Sequence, residues 1–228
     1  DEPSDGRLWV RGATYKASFG TEGATYVPFF GSDTPRNFPI TFQLASAMVG
    51  GHELPLTTTP AVRAGDSITR DHGALREQWH LGLQQVEQTF VLDDLPALGE
   101  LVLTLAVTSD LELTDVADGL LFSGEHGEVG YGDVTIRDAR GRTLQIASEV
   151  VSGDIVLRVP ANFLAEATLP LVVDPIVANF YVNAVVSLQE GDIAYDVDHA
   201  RWLITYVMYF SQSDQDVRCE MLDDDGAL

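Results

Sequence analysis

Five histidines, His52, His72, His80, His126 and His199, are the first residues to test for chemistry. A neutral imidazole is both a common zinc ligand and a proton shuttle. His72 and His80 flank RDHGALREQWH, with Glu77 between them, but on strands that spacing does not bring two rings to one ion. No HExxH helix is present, and His52 beside Glu53 and His126 near Glu125 and Glu128 read as solvated loop residues. Paired carboxylates could divide the acid and base roles of glycoside hydrolysis. Asp93 with Asp94 and Asp115 with Asp118 are such pairs, yet acids are frequent enough here for pairs to arise by chance. No GxSxG elbow accompanies any serine, so no catalytic set is assigned and the chain reads as a non-enzyme.

Hard carboxylate oxygens in turns suit calcium. The candidates are Asp192, Asp196 and Asp198, then Asp214 and Asp216, then Asp223 and Asp225 in a run of three acids before Gly226. That run lacks the alternating spacing of an EF-hand loop and its completing glutamate. The same acids also read as solvated turn residues that keep strand edges from pairing wrongly. Trp202, Tyr206, Tyr209 and Phe210 could stack on sugar rings, or they could be core; Tyr209 has the opposite parity to the other three, so one face cannot hold all four. The single cysteine, Cys219, excludes an internal disulfide and leaves a buried apolar side chain or a thiol for pairing between chains.

The elements that position these residues have a period of two. In GELVLTLAV, Leu101, Leu103, Leu105 and Val107 share one face, and Val102, Thr104 and Ala106 the other. DVTIRDARGRTLQIASEVVSGDIVLRVP reads as three strands joined by tight turns at Gly141 and Gly153. EQWHLGLQQVEQTFVLDDLP reads as a strand region, Trp79, Leu81 and Leu83 alternating first and Val86, Phe90 and Leu92 following after a bulge or a register change. ATYVPFFG and PITFQLA are strands shortened by Pro28, Pro35 and Pro39, and only residues 162–167 read as a helical turn. Short strands punctuated by Gly, Pro and Asp predict an all-β fold, a β-sandwich body over residues 1–175 with a candidate division near 72.

From residue 176 onward the texture changes. Three strands are expected, with turns at 196–199 and 211–214, and the middle one, Trp202 to Phe210, is apolar on both faces. Three strands without a second layer cannot bury it.

Residues 74–176 resemble an N-terminal β module of large secreted or surface proteins of planctomycetes, myxobacteria and similar bacteria. The resemblance rests on ALREQWHLGLQQVEQTFVLDDLP, GELVLTLAVTSDL, GYGDVTIRDARGR and LRVPANFLAEATLPLVVDPIV. IAYDVDHARWLITYVMYFSQSDQDVRCEMLDDDG resembles the first part of the β-propeller-like repeat that follows this module. The resemblance implies an architectural role and carries over no catalytic residue. Propeller blades commonly have about four strands and come several to a ring. The C-terminal segment is therefore expected to be part of a longer array, or to find its second layer on a neighbouring copy.

With 35 acidic against 13 basic residues and a formal charge of −22, the chain repels nucleic acid and anionic membranes. No run approaches the roughly 18 apolar residues of a transmembrane segment, and the opening DEPSDGRLW reads as a mature, trimmed start. The expectation is an extracellular or cell-surface structural protein that forms a homo-oligomer or polymer. Its contact set would be Trp202, Ile204, Tyr206, Met208 and Phe210. A propeller-type adhesin with a glycan partner, and an accessory region of a secreted hydrolase, are the alternatives.

Overall fold

Alternating β-branched, aromatic and polar residues, cut by glycine and proline, leave almost no stretch with a helical period. The computed structural model describes residues 5–57, 59–83, 85–117, 119–180 and 188–223, with the backbone alone described at 176–180 and 188–190. Its first strands are β1 (Leu8–Arg11), β2 (Tyr15–Gly20), β3 (Gly23–Pro28), β4 (Ile40–Val49) and β5 (His52–Glu53). Next come β6 (Val62–Ala64), β7 (Ser67–Asp71), β8 (Arg76–Leu81), β9 (Gln85–Leu92), β10 (Leu101–Ser109) and β11 (Glu112–Val116). They are followed by β12 (Gly119–Gly124), β13 (Gly127–Gly132), β14 (Val134–Arg137), β15 (Thr143–Ile146), β16 (Ser148–Val151) and β17 (Asp154–Val159). After the helical turn α1 (Ala161–Leu164) come β18 (Leu171–Asp174), β19 (Ile176–Phe180), β20 (Leu188–Asp196), β21 (Arg201–Ser211) and β22 (Asp214–Asp223). The protein is all-β, and its described strand pairs are antiparallel.

The described residues fall into two compact units, one drawn from 1–28 and 38–181, the other from 29–37 and 182–228. The first unit is a sandwich. One sheet runs β1-β2-β3-β4-β10-β17-β16, with β5 on β4. The second is built on β9, which pairs with β8 on one side and with both β18 and β19 on the other. Aromatic rings join the two layers: Phe42 of β4 lies 5.6 Å from Tyr131 of β13 and 5.9 Å from Phe122 of β12, and Phe19 of β2 lies 5.6 Å from Trp79 of β8. Leu101, Leu103 and Leu105 of β10 are fully buried, as their shared parity requires.

Two of the expected strand readings change. The region read as bulged around Leu83 is a hairpin, β8 against β9, with Gly82 N–H donating to Gln85 O at 2.9 Å and Leu83 exposed at the tip. Apolar alternation persists on either side of the tip, and this hid the turn. The stretch read as three strands is four, because the chain leaves the second sheet after β15 and enters the first as β16. Both expected glycines do adopt positive φ, +80° at Gly141 and +93° at Gly153.

Asp174 and Pro175 stand where β9's partner changes. β18 pairs with β9 at residues 90–92 and continues to β14 and β15; β19 pairs at 85–87 and continues to β13, β12 and β11. Proline has no N–H for the ladder, but its carbonyl accepts from Gln88 N–H at 3.1 Å. β19 lies beyond the expected division at 175 and belongs to the body sheet.

The second unit is the three-stranded sheet β20-β21-β22 together with residues 29–37.

Candidate functional site

Alternation on β7, β8, β9 and β13 turns Arg70, Glu77, Gln88 and Tyr131 into the sandwich interior, and His72, just after β7, joins them. Glu77, 1% exposed, is the hub: its Oε2 lies 3.0 Å from His72 Nε2 and 3.8 Å from Arg70 Nη1, and its Oε1 accepts Gln88 Nε2–H at 2.7 Å. Gln88 Oε1 in turn accepts the Tyr131 hydroxyl at 3.2 Å, and burial with the nearby Glu77 charge holds that phenol well above its usual range. Arg70 also donates to Gly20 O across the sandwich. All five residues are at most 6% exposed, so the group is closed to a substrate and serves as a buried polar tie between strands.

The outer face of the same strands carries a second cluster. Ser67 Oγ and His80 Nδ1 lie 3.1 Å apart, and Glu87 stands directly across from His80. Asp174, beside them, accepts the Thr89 hydroxyl at 3.4 Å, and its carboxyl is pushed up to about 7, first by burial and then by its hydrogen bond to the Glu87 carboxyl. A carboxyl protonated near neutrality suits general-acid work. The neighbouring Glu87 raises Asp174 by standing close, whereas the two carboxyls of a glycosidase stand about 5 Å or more apart to admit the glycosidic oxygen and water.

Asp93 pairs with Arg76 at 2.8 Å, Asp94 accepts Leu95 N–H at 2.8 Å, Asp115 is exposed on β11, and Asp118 lies outside the described residues. His72 and His80 point to opposite faces, His126 packs its ring 5.4 Å from Phe38, and His52 is exposed.

The C-terminal sheet orders its side chains by register. One face carries Ile193 and Tyr195 of β20, Trp202, Ile204, Tyr206 and Met208 of β21, and Asp216, Arg218, Glu220 and Leu222 of β22, and the ladder shifts register between Tyr209 and Ser211, at Phe210. The other carries Ala194, then Leu203, Thr205, Val207 and Tyr209, then Val217, Cys219 and Met221. Phe210 is the one member of the expected contact set that is unavailable. It is 2% exposed, with its ring 5.1 Å from Phe29. Trp202 packs on Tyr195 at 4.6 Å, and Tyr206 donates its hydroxyl to Glu220 at 2.6 Å. Trp202, Ile204, Tyr206 and Met208 are half-buried, while the opposite face leaves Leu203, Val217, Cys219 and Met221 exposed. Residues 29–37 clamp the β21–β22 turn: Ser32 donates to Tyr209 O at 3.1 Å, Gln212 N–H to Thr34 O at 2.8 Å, and Asn37 to Asp214 at 2.6 Å. That clamp spans about 177 residues of sequence, and no local signal announces it.

Compared with models of known protein families and with curated proteins, the chain matches none of either.

Four of the acids expected to hold calcium, Asp192, Asp196, Asp214 and Asp223, are separately engaged. Asp196 accepts the backbone N–H groups of Asp198 and His199, and the His199 ring at 2.7 Å holds its carboxyl below the usual range. Asp192 accepts Ile193 N–H, and Asp223 pairs with Arg201 at 3.2 Å. Asp214 accepts Asn37, Asp216 stands across from Met208, and Asp225 lies outside the described residues. Among the described residues, no group of three or more His, Cys, Asp or Glu is placed to share a metal ion. No described helix is long and apolar enough to cross a membrane.

Proposed function

We propose that this chain is a non-enzymatic structural module of a secreted or cell-surface assembly, and that it associates with further copies of itself through the C-terminal sheet. One observation carries the reading: the sheet has apolar side chains on both faces and leaves many of them in water. Ile193 is 57% exposed, Val217 74%, Met221 62% and Leu203 40%. Scattered apolar residues are ordinary on a surface, but Leu203, Val217 and Met221 share one face of the sheet and make a patch of the kind that marks a contact. The extracellular placement draws its support from the acidic composition and from the resemblance of residues 74–176 to modules of bacterial surface proteins.

The test is the solution mass of the chain by light scattering, against Val217→Glu with Met221→Glu. Both side chains are already in water, so folding is preserved; the wild type is expected to form dimers or polymers and the variant to remain a monomer. A wild type that stays monomeric at high micromolar concentration overturns the reading.

A glycan-binding role is the second reading, favoured by the Tyr195 and Trp202 rings packed at 4.6 Å with Tyr195 42% exposed. Saturable binding to oligosaccharides that Trp202→Ala abolishes would put it first.

A further inference from the structure

We infer that the partner of the C-terminal sheet is a second copy of this chain, paired edge to edge along β22 about a two-fold axis at Cys219. The inference rests on the self-association proposed above and names its surface and register.

Among the described residues β22 pairs with β21 alone, which makes it an edge strand of the described sheet. The strand is ten residues long and has no proline to block a new ladder. Its side chains alternate cleanly, with Val217, Cys219 and Met221 exposed on one face and Arg218, Glu220 and Leu222 half-buried on the other.

A two-fold axis normal to the sheet sets side chains of like parity opposite each other, so a symmetric antiparallel pairing must be centred on a residue. The sequence DQDVRCEMLD then discriminates sharply among the centres. Centring on Arg218 opposes Arg218 to itself and Asp216 to Glu220 twice. Centring on Asp216 or Glu220 opposes an acid to itself. Centring on Val217 pairs Asp216 with Arg218, but sets Asp214 against Glu220 and overlaps only residues 214–220. Centring on Met221 leaves only residues 219–223 and no opposite charges. Centring on Cys219 overlaps residues 215–223, places Arg218 opposite Glu220 twice, and places Val217 opposite Met221 twice on the other face. No like charges are opposed. This register alone combines a long overlap, two ion pairs and a closed apolar row, which are the pairings that stabilise neighbouring strands. The result is a continuous six-stranded sheet with Cys219 of each copy at the axis.

Directly opposed residues of an antiparallel pair have Cα atoms about 4.5 or 5.5 Å apart, according to the hydrogen-bonding phase, and both spacings fall within the range of about 4.4–6.8 Å that a disulfide spans. Cys219 is exposed, and thus reports the register directly. The full chain is treated with diamide, which accepts the two electrons and two protons released as the paired thiols join, and it is weighed in parallel by light scattering. A disulfide-linked dimer is expected, reversed by dithiothreitol and absent in Cys219→Ser, which still associates. Arg218→Glu and Glu220→Arg should each weaken association by roughly tenfold, since each turns two attractive pairs into repulsive ones. An equimolar mixture of the two should restore it, because each mixed pair sets the two acids of the Arg218→Glu chain against the two arginines of the Glu220→Arg chain; a misfolded variant could not be rescued in this way. Association without the Cys219 crosslink, or with charge variants that behave as the wild type or fail to rescue each other, overturns this register and leaves the broader reading standing. A monomeric wild type overturns both.

Discussion

Asp174 carries its proton close to neutrality, with its carboxyl at about 7 against an ordinary 3.8, because burial and the Glu87 carboxyl both disfavour its charge. The unfolded chain therefore gives up this proton at lower pH than the folded one, so the folded state is favoured by the bound proton. The contribution is fully present below about pH 4 and is lost as the pH rises through 7. Since the group is half-buried, water discounts the effect to about 1–2 kcal/mol. Asp174→Asn, which cannot ionise, is expected to leave stability at pH 4 near that of the wild type and to raise it at pH 8 by that amount, as read by urea unfolding at the two values. A wild type whose stability climbs between pH 5 and 8 as steeply as the variant's would refute the assignment. At this scale the sequence was least legible. Glu77 was visible between two histidines, but its partners Arg70, His72 and Gln88, with Tyr131 on Gln88, meet only because the strands of one sheet align them, and Gln88 and Tyr131 lie 43 residues apart. Nothing in composition or spacing encodes such a meeting.

Strands were legible wherever the period of two ran between turn residues, as in Leu101–Ser109, Asp154–Val159 and Arg201–Ser211. They were misjudged where alternation carried through a hairpin tip at Leu83, or where the chain changed sheets between Ile146 and Ser148 without a strong breaker. The Asp174-Pro175 step resembles a module's end for a related reason. A proline that interrupts a ladder is the same local signal whether the chain leaves the sheet or, as here, resumes along the same neighbour. The second unit shows the cost of a non-local tie. A three-stranded sheet is marginal by itself, and Phe210 packs its ring against Phe29 between the sheet and residues 29–37. Phe210→Ala should cost the unit about 3 kcal/mol, on the order of a hundredfold in local opening. Hydrogen exchange is expected to lose protection across Arg201–Asp223 and to keep it across Leu101–Ser109. Equal loss in both would mean that the two units unfold as one.

For the whole molecule, charge decides how copies approach. Each chain carries −22, and from residue 176 onward two arginines face ten acids, so two C-terminal sheets repel until they touch. The attraction proposed at β22 is short-ranged, made of backbone hydrogen bonds, Val217 against Met221, and two ion pairs. The repulsion is long-ranged and involves most of the acids. Salt separates these terms: the screening length falls from about 10 Å at 0.1 M to about 3 Å at 1 M, which removes distant repulsion while opposed strands about 5 Å apart keep most of their contact. The two exposed ion pairs weaken as well, but each is worth less than about 1 kcal/mol. Association should therefore tighten with sodium chloride between about 0.1 and 1 M, by several-fold in the dissociation constant measured by sedimentation. The opposite trend, dimers at low salt that dissociate at high salt, would mean that specific charge pairs hold the copies together and that the apolar row of β22 contributes little.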